Sequence, residues 1–571
     1  MIHGRANMKL IGLIYISYLL AAVQGSGEKN DKIREFMSSL LGCKAPTSYT
    51  VAVVKGNDTL FAEGYGIANV EKNITANNKT IYSVASISKA FGTTLLGIIL
   101  KEKGLSWDTP VRQILGEDFY FHDALRSTHA TLRDLASHRM GMAPNNLVRM
   151  QTGMDRRMLA RKIRFINTTE EWRSSYIYNN LMFGLISYVA EKLAEKPWEQ
   201  LIKEKIYQPL GMSEATFQQE VDWTSENLAG FYYNDPPRQV SSKILSYWGK
   251  LGASGSVMAH ALDMTKWMKM QLNLGLSQEG VRVVPEAVMT ELHTPANVVR
   301  ISNSRKIFMR PENAVTLVAD KYALGWFTGY YRGLPIVMHT GTSLGQVAML
   351  TLIPSRGLAF FMAGSGSDNG YLARYLTSAY LMDLYLEEEP WINATNVCDF
   401  PQKQNSREEN TGESTANEKG QRVKNVNQYV GIYGNFAFGN ITVSANGSQL
   451  LLTYNADLGA WKLIPKEAEG EFQGEALDDL WVFNRYFSNV TFSGKKNNQM
   501  QTLVIPSMQQ NPPVFSRDLK MSDAPPPSVL TCPTGPASSA VRRSTSHVML
   551  GSLAIVVFLY EKCFKLLHGI T

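Results

Sequence analysis

Cysteine and histidine are scarce in this sequence, and their spacing excludes the common metal sites. The 571 residues contain four cysteines and nine histidines. No C-x-x-C, H-x-H or H-E-x-x-H pattern occurs, although zinc and metallohydrolase sites are recognised by these spacings. His129 and His138 flank a helical segment, and we interpret both as structural. We therefore expect neither a metal ion nor any other cofactor.

An excess of charge of one sign is also lacking. The chain has 57 Lys and Arg against 50 Asp and Glu, which gives a net charge of +7. This charge is small for the length and no basic run occurs, so we expect no nucleic-acid partner. The hydrophobic content of 44% is ordinary for a globular protein, and the length allows more than one domain.

Apolar runs are short and lie near the two ends of the chain. Near the start, Arg5 and Lys9 form a basic segment, the apolar stretch Leu10–Val23 follows, and Val23-Gln24-Gly25 provides a small-residue cleavage site. This pattern predicts a secretory signal peptide at residues 1–25. We therefore expect a secreted, extracellular protein.

The apolar stretch near the other end, Val548–Tyr560, is shorter than the ~20 residues of a membrane span. With the small residues Ser538-Ser539-Ala540 and a polar spacer it is similar to a lipid-anchor signal, but Glu561 and Lys562 interrupt that pattern. Release, lipid anchoring and membrane spanning all remain open for the hydrophobic tail at residues 548–571. Association with a cell membrane or an extracellular matrix through this tail is open for the same reason.

Three separated motifs contain the residues that suggest chemistry. They are Ser86-Ile87-Ser88-Lys89, Tyr178-Asn179-Asn180 and His339-Thr340-Gly341. Extended chain reaches Ser86, and a helical pattern runs from Ile87 to Gly104, so Ser86 and Lys89 share the first turn of a helix. A buried lysine amine beside a serine hydroxyl can take its proton. A second Ser-x-x-Lys, at Ser493–Lys496, is a chance match, so the context of the first one matters.

The motifs and their order resemble the serine β-lactamase / D-Ala-D-Ala carboxypeptidase family, in its class C branch. The resemblance covers about residues 45–390. Four further stretches carry it: Gly64-Tyr65-Gly66, Thr131–His138, Gln208–Met212 and Tyr322–Trp326. It implies an α/β fold, an α+β sandwich in which an antiparallel sheet is flanked by helices and accompanied by an all-helical lobe.

The resemblance also implies a mechanism and the residues that perform it. The enzyme would be a serine hydrolase that forms a covalent acyl-serine on a small-molecule or peptide substrate. The residues implied are Ser86 as nucleophile, Lys89 and Tyr178 as proton relay, Asn180, His339, Thr340 and Gly341 as substrate contacts, and the backbone N–H groups of Ser86 and Thr342 as oxyanion hole. The family often has Lys where this chain has His339, and a mostly neutral histidine predicts weak β-lactam turnover compared with esters or peptides.

Two other interpretations compete with this chemistry: a different serine nucleophile and a role without catalysis. Gly341–Gly345 matches the G-x-S-x-G nucleophile elbow, which requires a helix directly after its serine, whereas Gln346–Leu352 is typical of a strand. The second alternative is a catalytically silent extracellular protein that reuses the fold, as in β-lactamase-like proteins of molluscan shell matrix. The sequence leaves this structural or matrix role open.

Two kinds of covalent modification are expected in an oxidising, secretory compartment. In the resembling fold, the helices predicted at Asp31–Leu41 and Gly370–Leu386 pack together, which implies a Cys43–Cys398 disulfide. Eight N-x-S/T sequences are candidate glycosylation sites. They are Asn57, Asn73, Asn78, Asn167, Asn393, Asn440, Asn446 and Asn489.

The chain divides by composition after the catalytic domain, which we expect at residues 30–398. Residues 399–425 are polar and have linker composition. Strand alternation at residues 426–517 predicts a small antiparallel β domain, which is similar to one appended to some family members and leaves self-association open. A Pro/Ser-rich stalk at 518–547 precedes the hydrophobic tail.

Overall fold

The computed structural model describes residues 27–527, except for 44–45, 234–235, 367, 369–371, 402–422, 424 and 509–511. The predicted signal peptide and hydrophobic tail, and most of the predicted linker and stalk, lie outside these residues, so these assignments stay predictions. In the described part of the chain, no helix has the length and apolar character needed to cross a membrane.

A large antiparallel sheet forms the centre of the first domain. Its nine strands follow the order β3-β2-β1-β14-β13-β12-β11-β10-β9. The strands before the linker are β1 (Pro46–Lys55), β2 (Asp58–Asn69), β3 (Ile74–Thr75), β4 (Tyr82–Ser83), β5 (Thr216–Phe217), β6 (Tyr232–Tyr233), β7 (Arg238–Gln239), β8 (Val257–Ala259), β9 (Asn297–Val298), β10 (Leu317–Tyr322), β11 (Phe327–Tyr331), β12 (Leu334–Thr342), β13 (Gln346–Ile353) and β14 (Leu358–Gly366). Strands β13 and β14 are buried along their whole length, because helices cover both faces of the sheet.

Helices cover the two faces of this sheet and build a lobe beside it. They are α1 (27–43), α2 (Ser88–Lys103), α3 (Val111–Leu115), α4 (Ala124–His129), α5 (Leu132–Ala136), α6 (Arg156–Lys162), α7 (Asn180–Ala194), α8 (Trp198–Ile202), α9 (Gln208–Leu210), α10 (Ser242–Gly249), α11 (Ala261–Leu272), α12 (Glu286–His293) and α13 (Leu372–Leu386). Helices α1 and α13 share one face, where Phe36 stacks on Tyr380. Helix α11 packs on the other face, and α3–α10 build the lobe beside it. The predicted sheet flanked by helices is confirmed, although the lobe also contains the short strands β6 and β7.

A disulfide joins the ends of the α1 and α13 segments. Cys43 and Cys398 are bonded, with their Cα atoms 5.5 Å apart, which confirms the pairing implied by the resemblance. The bond closes a loop with a sequence separation of 355 residues. A cross-link over so long a loop restricts the unfolded chain strongly.

Removing this disulfide is expected to destabilise the protein. The double variant Cys43→Ser/Cys398→Ser should lose about 2–5 kcal/mol of unfolding free energy, because its unfolded chain gains conformational entropy. Urea unfolding of wild type and variant, each with and without reductant, measures this. Reductant should destabilise wild type and leave the variant unchanged; equal stability of the two oxidised proteins would contradict the expectation.

The second domain is a closed antiparallel barrel. Its strands are β15 (Gly431–Asn435), β16 (Gly439–Asn446), β17 (Gln449–Thr453), β18 (Trp461–Pro465), β19 (Glu471–Ala476), β20 (Val490–Lys496), β21 (Gln499–Val504) and β22 (Val514–Arg517). A short helix, α14 (Asn484–Phe487), lies between β19 and β20. The predicted small β domain is therefore confirmed as a barrel.

The barrel packs directly on the helical lobe. Tyr454 donates a hydrogen bond from its hydroxyl to the carbonyl of Leu147 at 3.2 Å, and the Asn455 amide donates to the carbonyl of Met150 at 2.8 Å. Both acceptors belong to a 3₁₀ segment, Asn146–Met150. This contact brings one end of the barrel beside the site described next.

Candidate active site

Ser86 lies in a tight turn at the start of the long helix α2. The turn is a 3₁₀ segment, Ala85–Ile87, that continues directly into the helix. Ala85 has φ +46°, a region that non-glycine residues rarely occupy. The hydroxyl of Ser83 accepts a hydrogen bond from the Ala85 N–H at 3.2 Å and so supports this conformation. The turn leaves the Ser86 side chain half-buried at the wall of a cavity.

Lys89 is fully buried one turn after Ser86. Its Nζ lies 3.2 Å from Ser86 Oγ, 2.7 Å from Asn180 Oδ1 and 2.7 Å from the Ser254 carbonyl oxygen. Burial, with a smaller contribution from Arg149, lowers the pKa of this amine well below its ordinary value. In the described structure no carboxylate lies within ion-pair distance of this amine, so no counter-ion stabilises its charged form.

The second motif places Tyr178 and Asn180 against the same lysine. Asn179 caps helix α7, because its side chain accepts a hydrogen bond from the Leu181 N–H. Asn180 is the first residue of that helix, and its amide donates to Asn146 Oδ1 at 2.9 Å. Lys89 Nζ lies 4.7 Å from the centre of the Tyr178 ring. The cap therefore orients both functional side chains toward the cavity that Ser86 also lines.

The third motif lies within strand β12 (Leu334–Thr342), near its C-terminal end. His339 is buried, and both of its ring nitrogens have partners. Nε2 lies 3.0 Å from the Tyr322 hydroxyl and Nδ1 lies 2.7 Å from the Thr340 carbonyl oxygen. Burial lowers the pKa of His339 to about 3 and raises that of Tyr322. Both groups are thus neutral near pH 7, with Tyr322 donating to Nε2 and Nδ1 donating to the carbonyl.

The neutral His339 is expected to make the fold less stable in acid. Its folded pKa of about 3 lies below the ordinary 6.5, so between these values the unfolded chain binds a proton that the folded chain does not. The contribution of His339 to the unfolding free energy should therefore fall by about 1.4 kcal/mol for each pH unit between 6.5 and about 3. Urea unfolding at several pH values should show a flatter slope in His339→Gln. The exposed His122→Gln variant is the control, and equal slopes in both variants would contradict the expectation.

Gly341 is required by packing inside the protein. A Cβ atom at this position would lie 2.3 Å from the Val84 carbonyl oxygen and 3.2 Å from the Ala85 Cβ. At Gly341, strand β12 therefore packs closely against the turn that carries Ser86. Gly341 is not among the residues that line the cavity. Thr340 and Thr342 on either side do line it.

A buried ion pair holds strand β12 from behind. Arg374 of α13 pairs with Asp368 and donates to the carbonyl of Gly341 and to the Thr342 hydroxyl. These contacts fix the end of strand β12 at Gly341 and Thr342.

A cavity of about 510 Å³ connects the three motifs. Its lining is rich in aromatic side chains and contains three arginines, and no acidic residue of the described chain lines it. The barrel contributes Phe483, Arg485 and Tyr486 to the wall. The remaining lining residues that matter here are Ser86, Asn146, Tyr176, Tyr178, Asn180, Tyr233, Trp248, Arg300, Arg305, Phe327, His339, Thr340 and Thr342.

Several of these contributors were not recognisable from the sequence. Asn146 and Ser254 belong to 3₁₀ segments without a motif, and they meet Asn180 and Lys89 only through the fold. The sequence suggests only a structural role for His138. In the structure, the centre of its ring lies 4.5 Å from the centre of the Tyr178 ring. Arg485 and its neighbours come from a separate domain. The three motifs, in contrast, were visible because each one is local.

Comparison with known proteins agrees with this arrangement. The sequence profile of the family described as beta-lactamase matches residues 33–378, which is more than half of the chain. The chain belongs to the β-lactamase family. Membership supports serine-hydrolase activity in general.

Individual relatives are distant. The chain is 27% identical over 384 residues to an unguisins hydrolase of Aspergillus campestris, which covers 65% of this chain and 68% of that one. It is 26% identical over 267 residues to Gigasin-6 of Magallana gigas, which covers 45% of this chain and 88% of that one. The solved structure of an octameric penicillin-binding protein homologue from Pyrococcus abyssi is 19% identical, has a TM-score of 0.52, and covers 86% of this chain and 99% of that one. This last likeness shows the fold alone.

The competing nucleophile elbow is not formed in this family member. Ser343 is followed by strand β13, whereas a nucleophile elbow requires a helix after the serine. Its hydroxyl instead accepts a hydrogen bond from the Gln218 amide at 3.1 Å. Ser343 lines the cavity, but in the described structure its hydroxyl has no hydrogen bond to a histidine, lysine or carboxylate.

Proposed function

We propose that this protein is an extracellular serine hydrolase that acts on an ester, amide or peptide through a covalent acyl-Ser86. One observation supports this most strongly: the Lys89 amine is fully buried and lies between two acceptors and the Ser86 hydroxyl. A neutral amine has two N–H donors and one lone pair. With its donors on Asn180 Oδ1 and the Ser254 carbonyl, the lone pair faces Ser86 Oγ, which is the arrangement of a general base.

The acylation step follows from this geometry. Ser86 Oγ attacks the substrate carbonyl carbon while its proton passes to Lys89 Nζ. The bond to the leaving group then breaks, and the proton returns through Lys89 and Tyr178 to the departing oxygen or nitrogen. Water next adds to the acyl carbonyl and loses its proton to the same relay, which releases the acid and restores the Ser86 hydroxyl.

The backbone N–H groups of Ser86 and Thr342 are proposed as the oxyanion hole. Ser86 and Thr342 both line the cavity, and the Arg374 side chain holds Thr342 in place. Asn180 is proposed to contact the substrate together with Thr340. An oxyanion-hole donor typically stabilises the transition state by about 3–4 kcal/mol.

The lining of the cavity favours a particular class of substrate. Because its wall is aromatic and its charged members are Arg300, Arg305 and Arg485, we propose an acyl group with apolar or aromatic parts, neutral or negatively charged. The buried, neutral His339 offers no charge to a carboxylate. Weak β-lactam turnover therefore remains part of the proposal.

An extracellular location is proposed from three features. The Cys43–Cys398 disulfide is of the kind that persists in oxidising compartments, and residues 1–25 have a signal-peptide pattern. Six of the eight candidate glycosylation sites are exposed, and Asn78 and Asn393 are half-buried. Attachment to a surface or matrix through the tail stays a prediction.

Ester hydrolysis by matched serine variants tests the proposal. Wild type should hydrolyse aromatic p-nitrophenyl esters with an initial burst of p-nitrophenol equal to the enzyme concentration, and Ser86→Ala should abolish it. Ser493→Ala is the control, because it alters the chance Ser-x-x-Lys in strand β20. Equal loss in both variants, or full activity in Ser86→Ala, would refute the proposal.

A further inference from the structure

Arg149 carries a buried positive charge without a carboxylate partner. Arg126, Arg149 and Arg374 are the buried arginines of the described chain. Arg126 pairs with Asp123, and Arg374 pairs with Asp368. No carboxylate of the described residues lies within ion-pair distance of Arg149. Because a guanidinium stays charged when it is buried, such a group is unfavourable unless something else uses the charge.

The contacts of Arg149 lead directly to the active site. Its guanidinium lies 4.3 Å from the centre of the Trp248 ring and donates to the Trp248 carbonyl at 3.0 Å. It also lies 3.4 Å from Asn146 Oδ1, the atom that accepts from Asn180. Its Nε has no partner in the described structure. Trp248 and Asn146 line the cavity while Arg149 does not, so the charge acts from behind the wall.

The groups around this charge are the ones that exchange protons. Tyr178 and Tyr486 interact electrostatically with Arg149, and Arg149 in turn disfavours the charged form of Lys89. His138 and His339 also face Lys89, but burial lowers the pKa of each, so both are neutral at pH 7. Among the described groups around Lys89 and Tyr178, Arg149 therefore supplies the permanent charge.

We propose that Arg149 is a positioning residue for acylation. Its guanidinium holds Asn146 Oδ1, which holds the Asn180 amide against Lys89, and its permanent charge behind the cavity wall favours proton transfer through Lys89 and Tyr178. This inference rests on the proposed function. The permanent cation that a Lys-Thr-Gly motif would place on strand β12 is absent at His339. Arg149 supplies a cation from behind Asn146 and Trp248, which line the cavity.

The C-terminal barrel holds this residue in place. Tyr454 and Asn455 donate to the carbonyls of Leu147 and Met150, the residues on either side of Val148 and Arg149. Tyr486 of the barrel also interacts electrostatically with the guanidinium. The barrel is thereby coupled to the proton relay, although none of its described residues hydrogen-bonds to Ser86 or Lys89.

The dependence of acylation on pH tests the inference. The rate of acyl-Ser86 formation by an activated ester, followed by stopped flow, should rise with pH as the Lys89 amine loses its proton. In Arg149→Met this rise should move to higher pH by about one unit, with about a tenfold lower rate at pH 7. Arg149→Lys keeps a positive charge and should therefore return the pH profile most of the way to that of wild type. Asn455→Ala, which leaves Arg149 in place, should give a smaller shift in the same direction.

The controls separate this role from a purely structural one. Arg126→Met removes a buried, paired arginine and should lower thermal stability without moving the pH profile. If Arg149→Met does not fold, Arg149→Gln, which keeps an N–H donor for the Trp248 carbonyl, decides the outcome. An unchanged profile in folded Arg149→Met or Arg149→Gln, in a preparation whose wild type is active, would overturn this inference alone. Absence of acylation in folded wild type would overturn the proposed function and this inference together.

Discussion

Replacing Lys89 by methionine is expected to lower the rate of acyl-Ser86 formation by about a thousandfold. The amine is the group placed to take the Ser86 proton, at 3.2 Å, and general bases typically contribute 10²–10⁴-fold. The methionine side chain fills a similar volume without a polar atom that requires partners. Burst kinetics with an activated ester, at saturating substrate, measures the acylation rate.

The same substitution should not destabilise the fold. The Lys89 amine is buried and its pKa is lowered well below its ordinary value, which means that burial works against its charged form. Thermal unfolding of Lys89→Met should therefore occur at the wild-type temperature or above it, as is common when a functional polar group is removed. Lys269→Met is the control for a buried lysine away from the site. Acylation by Lys89→Met at more than a tenth of the wild-type rate would contradict the general-base role.

Replacing Gly341 by alanine is expected to reduce acylation by about a hundredfold. The added Cβ would lie 2.3 Å from the Val84 carbonyl oxygen, so either strand β12 or the turn that carries Ser86 must move. A displacement of about 1 Å at a reacting group can slow the reaction about 100-fold. Overpacking of this kind should also destabilise the fold by about 1–3 kcal/mol.

The two effects of Gly341→Ala can be measured separately. Acylation is followed at a temperature at which circular dichroism shows the variant to be fully folded, and stability is measured by urea unfolding. Gly42→Ala is the matched control, because a Cβ at Gly42 meets nothing within 4 Å. Wild-type acylation by a folded Gly341→Ala variant would show that the contact with Val84 does not position Ser86.

Local pattern made the three motifs and most elements of the fold predictable. The strand Gln346–Ile353 was expected from its apolar run, and the helix after Ser86 was expected to end at Gly104, which has the left-handed conformation of a C-cap. The Cys43–Cys398 pairing came from the resemblance, because two cysteines alone do not reveal which helices meet.

Other features depend on packing between distant segments and could not be predicted. The residue type of His339 suggested a weaker carboxylate contact, but its complete burial against Tyr322 is a property of the folded sheet. Arg149 lies in a segment without a motif, and only the structure shows that no carboxylate of the described chain accompanies it. The barrel was expected as a domain, while its contribution of Tyr486 to the cavity was not.

The most direct test of a covalent mechanism at Ser86 is intact-mass spectrometry of the protein after treatment with a fluorophosphonate. Wild type should gain the mass of one adduct, peptide mapping should place it on Ser86, and Ser86→Ala should gain none. Absence of an adduct on folded wild type at any pH between about 5 and 10, a range that covers the usual working pH of a general base, would contradict the mechanism and favour a catalytically silent extracellular protein.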